Sequence, residues 1–211
     1  APGGKLILKS SIIDMGGSTL RSSSEVNYSS NSKLIGNMRS VRDDVSGVVQ
    51  LAGNINIEGS LETDGIISLG ATPGSGLITG DLTLFPGSDM LVEFAGTESG
   101  TGFDFLEVGG TANLDGKLTM ALIDEYIPDS GEAFLILKAG ALAGSFDKID
   151  QGEMGRQRRF QVATGAEGLV ATSQVLSISS YTDWRAAFLS ESEALDDLIS
   201  GFDADPEKDG T

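Results

Sequence analysis

The chain reads GFDFLEVGGTANLDGKLTMAL from Gly102 to Leu122. Within this stretch, the runs 105–108 and 111–114 alternate apolar and polar side chains, which is the period of a strand with one buried face. The dipeptides Gly109-Gly110 and Asp115-Gly116 follow these runs, and they supply the positive φ angles that tight turns need. Strands this short are not typical of an immunoglobulin-like sandwich. The stretch therefore predicts a chain that turns after every few residues.

The same rhythm continues on both sides of this stretch. Short apolar runs, many of them alternating with period two, recur between Gly-rich turns, and no helix-length periodic segment precedes residue 180. We therefore expect an all-β chain. The runs are Asn54–Glu58, Gly65–Leu69, Gly76–Thr79, Asp81–Phe85, Met90–Phe94, Lys117–Ile123, Ala133–Leu137, Phe160–Ala163, Leu169–Thr172 and Val175–Ile178.

Run length and turn length together favour a right-handed parallel β-solenoid (β-helix). In such a fold, coils of roughly 20 residues stack about 4.8 Å apart around a continuous apolar interior. A β-sandwich or jelly roll is the alternative architecture, because the repeat is degenerate. The side chains expected to fill the interior are Leu82, Leu84, Leu91, Phe94, Leu106, Val108, Leu114, Leu118, Met120, Leu122, Leu135 and Leu137.

The composition predicts three regions. Residues 1–52 are rich in Ser and Asn and are expected to form a polar N-terminal strand or cap region, and residues 53–180 are expected to form the solenoid. Residues 181–211 are expected to form a short helical appendage and an acidic tail. There, Trp184 and Phe188 lie one helical turn apart after a capping Thr182 or Asp183, which indicates packing over the end of the solenoid.

Composition also excludes several classes of function. The chain of 211 residues has no Cys and no His, so it lacks a thiolate nucleophile, a disulfide, a Ser-His-Asp triad and a His-bound metal. Its 31 acidic and 14 basic residues give a net charge of −17, which repels nucleic acid. No apolar run is long enough to span a membrane. The acidic, Ser- and Gly-rich composition and the Ala1-Pro2-Gly3-Gly4 start favour a secreted or cell-surface protein.

The segment 102–122 resembles a pattern of the C-terminal coils of autotransporter-like passenger β-helices and of surface proteins in bacteria such as Verrucomicrobia and Planctomycetes. The resemblance covers about residues 76–178 and implies an extracellular scaffold rather than an enzyme. The matching residues are Phe103, Asp104, Leu106, Val108, Gly110, Leu114, Gly116, Leu118, Met120 and Leu122.

The tail is similar to a second kind of module. Its segment 201–210 reads GFDADPEKDG, which resembles the calcium-binding loops of thrombospondin type 3 and dockerin modules, although Glu207-Lys208 stands where Asp-Gly is usual. Alternating carboxylates supply the oxygen ligands that calcium prefers. The candidate metal ligands are Asp203, Asp205, Glu207 and Asp209. The alternative interpretation is a solvated acidic terminus.

Two segments are candidates for contact between subunits. The apolar run Lys5-Leu6-Ile7-Leu8 could add as a strand to a neighbouring molecule, because solenoid ends expose unpaired backbone groups. The cluster Arg156, Arg158 and Arg159 could bind an acidic neighbour. The alternative for this cluster is a hairpin turn paired with Asp147, Asp150 or Glu153.

No catalytic residue is predicted. Asp104, Glu107 and Asp115 lie close in sequence, but Asp115 is expected in a turn and Asp104 is expected to hydrogen-bond turn amides. We therefore expect a secreted, non-catalytic structural protein that assembles head to tail into a fibre or sheath. The alternatives are an adhesin and a polysaccharide-binding or, less readily, polysaccharide-cleaving β-helix.

Overall fold

The computed structural model describes residues 6–23, 25–29, 32–41, 50–70, 73–151 and 158–175. Over these residues the chain is all-β and contains no helix. The expected helical appendage and acidic tail, residues 181–211, lie outside the described residues. The strands are β1 (Leu6–Leu8), β2 (Ile12–Ser22), β3 (Val26–Tyr28), β4 (Lys33–Ser40), β5 (Gln50–Gly53), β6 (Asn56–Glu58), β7 (Leu61–Thr63), β8 (Ile66–Ser68), β9 (Ser75–Ile78), β10 (Leu82–Leu84), β11 (Asp89–Phe94), β12 (Phe105–Leu114), β13 (Lys117–Leu122), β14 (Ala133–Gly144), β15 (Lys148–Asp150), β16 (Arg158–Thr164) and β17 (Gly168–Val175).

These strands form two sheets. The first sheet has the order β1-β3-β5-β8-β11-β13-β15, and all its pairings are parallel. The second is mixed: its order is β10-β7-β4-β6-β9-β12-β14-β17-β16, β2 also pairs with β4, and the β14–β17 and β16–β17 pairings are antiparallel. Along the chain, each strand of the first sheet is followed by strands of the second sheet before the chain returns to the first.

The parallel register aligns apolar side chains in columns. In the first sheet, one residue from each strand lies in register with the next, and this first column is Leu6, Val26, Leu51, Ile67, Met90, Leu118 and Ile149. A second column, in the other sheet, is Ile13, Leu34, Ile57, Ile78, Val108 and Ala139. A third is Leu20, Met38, Leu61, Leu82, Ala112 and Leu142. Inner members of all three columns are buried at 2% exposure or less.

Most of the expected interior side chains are buried, but Leu91, Leu122 and Leu135 are not fully buried. Leu122, the last residue of β13, packs against the core from a partly exposed position. Strand β11 buries Met90, Val92 and Phe94, so strict alternation turns Leu91 toward the outer face. In β14 the pairing with β17 shifts register between Leu135 and Leu137, and such an irregularity allows consecutive residues to be buried. The error for Leu91 came from pairing it with Phe94, three positions away, which a strand places on opposite faces.

Glycine permits the tightest approaches between successive strands. Gly53, at the end of β5, has a φ of +89°, and a Cβ atom at this position would lie 1.9 Å from the carbonyl oxygen of Tyr28 on β3. No other residue fits this position without displacing the backbone. By contrast, Gly131 has a similar φ of +85° but has nothing within 4 Å of the equivalent point.

Candidate assembly interface

Strand β1 forms one edge of the seven-stranded sheet. Its pairing with β3 uses the Leu6 N–H, which donates to Glu25, and the Leu8 carbonyl, which accepts from the Ser29 N–H at 2.9 Å. Successive residues of a parallel strand direct their backbone groups to opposite sides. The N–H and C=O of Ile7 therefore point away from β3, toward a side on which no described strand lies.

Exposed apolar side chains lie on this edge strand and on β2, the strand that follows it in the chain. Leu6 is 37% exposed, Ile7 is 48% exposed and Ile12, on β2, is 67% exposed. Leu8 is 3% exposed and belongs to the interior, so this candidate contact residue acts through its backbone. Lys5 lies outside the described residues. Clustering of exposed Leu and Ile beside an unpaired strand edge is the usual signature of strand-to-strand association.

Strand β15 forms the opposite edge of the same sheet. It pairs with β13 alone among the described strands, and its central residue, Ile149, is 41% exposed. Ile149 and Leu6 are the two terminal members of the first column, whose five inner members are at most 1% exposed. Among the described residues, the column is therefore shielded from solvent along its length and exposed at both ends. Ile149 was not predicted as a candidate contact residue, because β15 is a three-residue strand with a single apolar side chain.

The second sheet has a cap at its C-terminal end. There the antiparallel hairpin β16–β17 lies against β14, and Phe160 packs on Phe94 with ring centroids 4.5 Å apart. Gln151 holds the hairpin from the other side, because its amide donates to the Phe160 carbonyl at 2.9 Å and accepts from the Phe160 N–H at 2.8 Å. This cap covers part of β14, and none of the described strands pairs with the outer edge of β15.

The arginine cluster belongs to this hairpin. Arg158 and Arg159 begin strand β16 and pair with Val175 and Gln174, so these two residues lie in a strand rather than in the turn that the alternative interpretation expected. Arg159 is exposed, whereas Nη1 of Arg158 is buried and has no hydrogen-bond partner in the described part of the chain. Arg156 lies outside the described residues.

The three carboxylates of the 102–122 segment have separate structural partners. Asp104, 1% exposed, accepts the N–H of Gly74, in the loop before β9, at 2.6 Å, as expected for a side chain that binds turn amides. It also accepts the N–H of Glu93, which lies within strand β11, at 2.9 Å. Burial raises the pKa of Asp104 to about 6, although the two N–H donors oppose this rise. Glu107 pairs with Lys138 at 2.9 Å, and Asp115 accepts the N–H of Gly116.

The candidate calcium ligands Asp203, Asp205, Glu207 and Asp209 lie outside the described residues. Among the residues that are described, no group of three or more acidic side chains is arranged to hold a metal ion. The described strands and loops also include no helix with the length and apolar character that a membrane crossing requires.

No protein-family model matches this chain, and no curated protein matches it. The functional conclusion below is therefore based on the strand edges, on the open ends of the apolar columns and on the chemistry of the side chains.

Proposed function

We propose that this chain is a right-handed parallel β-solenoid and a secreted, non-catalytic structural protein of the bacterial cell surface, which assembles head to tail into a fibre or sheath. The observation that carries the proposal is the first column. It runs through all seven strands of one sheet, and its exposed members, Leu6 and Ile149, are at its two ends. Seven parallel strands in continuous register support the solenoid, whose crossovers are expected to be right-handed.

Head-to-tail stacking would remove both open edges at once. In such a pair, β1 of one copy would lie beside β15 of the next, and Leu6 would continue the column above Ile149. The backbone groups of Ile7 would gain partners on β15. Burial of two half-exposed Leu or Ile side chains contributes about 2 kcal/mol, to which the third column would add through Leu20 at one end and Leu142 at the other. The second column would not add to it, because its last member, Ala139, donates its N–H to Glu167 in the turn of the capping hairpin.

The tail would regulate or reinforce this contact. Asp203, Asp205, Glu207 and Asp209 are the carboxylates proposed to hold calcium, because hard cations bind closely spaced oxygen ligands. The exposed Arg159, together with Arg158 and Arg156, is proposed to attract the acidic surface of a neighbouring copy in a chain of net charge −17.

Negative-stain microscopy of the purified full chain tests the proposal. Wild type should form filaments, and Ile7→Pro should abolish them, because proline removes the one N–H of β1 that points away from β3. The matched control is Ile7→Val, which keeps the N–H and a β-branched side chain and should assemble as wild type does. Circular dichroism should show that all three proteins are folded.

Three results would count against the proposal: uniform single particles for wild type, filaments that survive Ile7→Pro, or filaments lost equally in Ile7→Val.

A parallel series with calcium and with chelator tests the tail. Filaments that disappear on chelation, and that are absent from Asp203→Asn in calcium, would assign the tail a joining role. Filaments that are unchanged both on chelation and in Asp203→Asn would show that the tail has no joining role.

A further inference from the structure

A groove of about 490 Å³ lies on the outer face of the second sheet, away from the strand edges described above. Its floor is built from strands β6, β9 and β12, where Asn56, Leu77 and Glu107 form an outward-facing column in continuous register. Phe105 lies beside this column, in register with Ser75. The loop between β11 and β12 supplies one wall of the groove through Ser99.

The groove combines an apolar floor with free hydrogen-bonding groups. Leu77 is 38% exposed and Phe105 is half-buried, so both present apolar surface to the groove. The side chains of Asn54, Asn56, Ser75 and Ser99 make no hydrogen bond to any described residue. Two primary amides and two hydroxyls therefore line a concave surface, and none of the described residues uses their donor or acceptor capacity.

The local charge is balanced. Among the described residues that line the groove, Glu107 alone is ionisable, and Lys138 on the neighbouring strand β14 neutralises it at 2.9 Å. A cation has no unpaired carboxylate to bind here, and an acidic ligand would meet the field of a chain with net charge −17. The groove chemistry therefore suits an uncharged ligand.

We infer that this groove binds a neutral polysaccharide. Sugar rings present apolar C–H faces that pack on an aromatic or aliphatic side chain, here Phe105 and Leu77, and their hydroxyls pair with amides such as those of Asn54 and Asn56. This inference goes beyond the assembly function and does not depend on it, because the groove lies on the flank of the sheet rather than at its open edges. Together, the two properties would give a filament that adheres to a neutral glycan matrix.

Affinity electrophoresis of the full chain tests the inference, with gels containing dextran, galactomannan or polygalacturonate as probes. Wild type should be retarded in at least one neutral gel, and the dissociation constant should rise at least tenfold in Phe105→Ala. The matched control is Phe85→Ala, which truncates a half-buried aromatic outside the groove and should bind as wild type does. Asn56→Ala should weaken binding severalfold without changing the thermal midpoint, because its side chain has no partner in the described chain.

The inference is overturned if neither neutral gel retards the wild type, if Phe105→Ala and Phe85→Ala lose binding equally, or if polygalacturonate is the probe that binds. To separate this result from that for assembly, the experiment is repeated with Ile7→Pro. Retardation that persists in this variant assigns binding to the groove itself, and retardation lost in a folded Ile7→Pro chain contradicts a site on the flank.

Discussion

Asp104 gives the sharpest test of the packing, because it is a buried carboxyl whose protonation is coupled to folding. The folded-state pKa of about 6 lies above the ordinary value of 3.8, and burial is the main cause, with the Glu93 carboxylate adding to the rise. Between these two values the native state binds the proton more tightly than the unfolded chain does. Its contribution to stability is therefore complete below pH 3.8 and is lost as the pH rises through 6.

The substitution Asp104→Asn removes this titration while preserving the shape of the side chain. Carboxylates that do not interact with Asp104 titrate alike in the two proteins, so their contribution cancels in the difference between the two free energies of unfolding. Between pH 4.5 and pH 7.5 the wild type should lose about 2 kcal/mol relative to the variant, because about 1.5 pH units separate pH 4.5 from the folded-state pKa.

Urea denaturation of both proteins at several pH values, followed by circular dichroism, measures this difference. The expected result is a difference that changes most steeply near pH 5, about midway between the two pKa values, and is nearly flat above pH 7. Parallel stability profiles, with a difference constant to within about 0.5 kcal/mol, would refute the reasoning. Such a result would mean that Asp104 is solvated in the native state and does not bind the Gly74 and Glu93 amides in a buried site.

Two further predictions concern the sheets. Gly53→Ala should destabilise the chain by roughly 3 kcal/mol in urea denaturation, because the added Cβ would overlap the Tyr28 carbonyl. Gly131→Ala should cost about 1 kcal/mol, because only its positive φ is unfavourable. Equal losses of stability in the two variants would contradict the close approach of Gly53 to Tyr28. Met90→Ala should cost about 3 kcal/mol as a cavity in the middle of the first column, and Ile149→Ala should cost less than about 1 kcal/mol in the unassembled chain. A thermal scan compares them, and similar midpoints for the two variants would argue against the column.

The β class was predictable from the sequence because the turn signals are local. Dipeptides such as Asp115-Gly116 mark where strands end, and period-two runs such as Leu118 to Leu122 mark the strands themselves. The side of a sheet to which a residue points was less certain where two apolar residues lie next to each other. Met90 and Leu91 are both suitable core residues, and only the register with β8 and β13 buries Met90 and leaves Leu91 half-exposed.

The proposed interface was predictable in part, and for a physical reason. The run Leu6 to Leu8 is apolar enough to be recognised as an edge strand from sequence. The edge strand at the other end of the sheet was not recognisable from sequence, because Lys148-Ile149-Asp150 carries one apolar residue. Its place in the first column follows only from the pairing of Ile149 with Leu118, 31 positions earlier. For the same reason, the groove around Phe105 was not predicted. Its members come from strands separated by 20 to 50 residues, and a degenerate repeat conceals which outward positions become neighbours.

Directed cross-linking tests the central claim most directly, and the absence of Cys from all 211 residues makes the background clean. Continuing the first column from Ile149 to Leu6 of the next copy places Ile7 opposite Asp150, at the Cα separation of about 4.8 Å between adjacent strands. That separation falls within the range that a disulfide spans.

The measurement mixes Ile7→Cys chains with Asp150→Cys chains under mild oxidation and separates the products on a non-reducing gel. The account predicts disulfide-linked heterodimers in this mixture, and none when Thr119→Cys, on the inner strand β13, replaces Asp150→Cys. Homodimers of Ile7→Cys alone would indicate head-to-head pairing. That result, or equal cross-linking to positions 119 and 150, would contradict the head-to-tail solenoid.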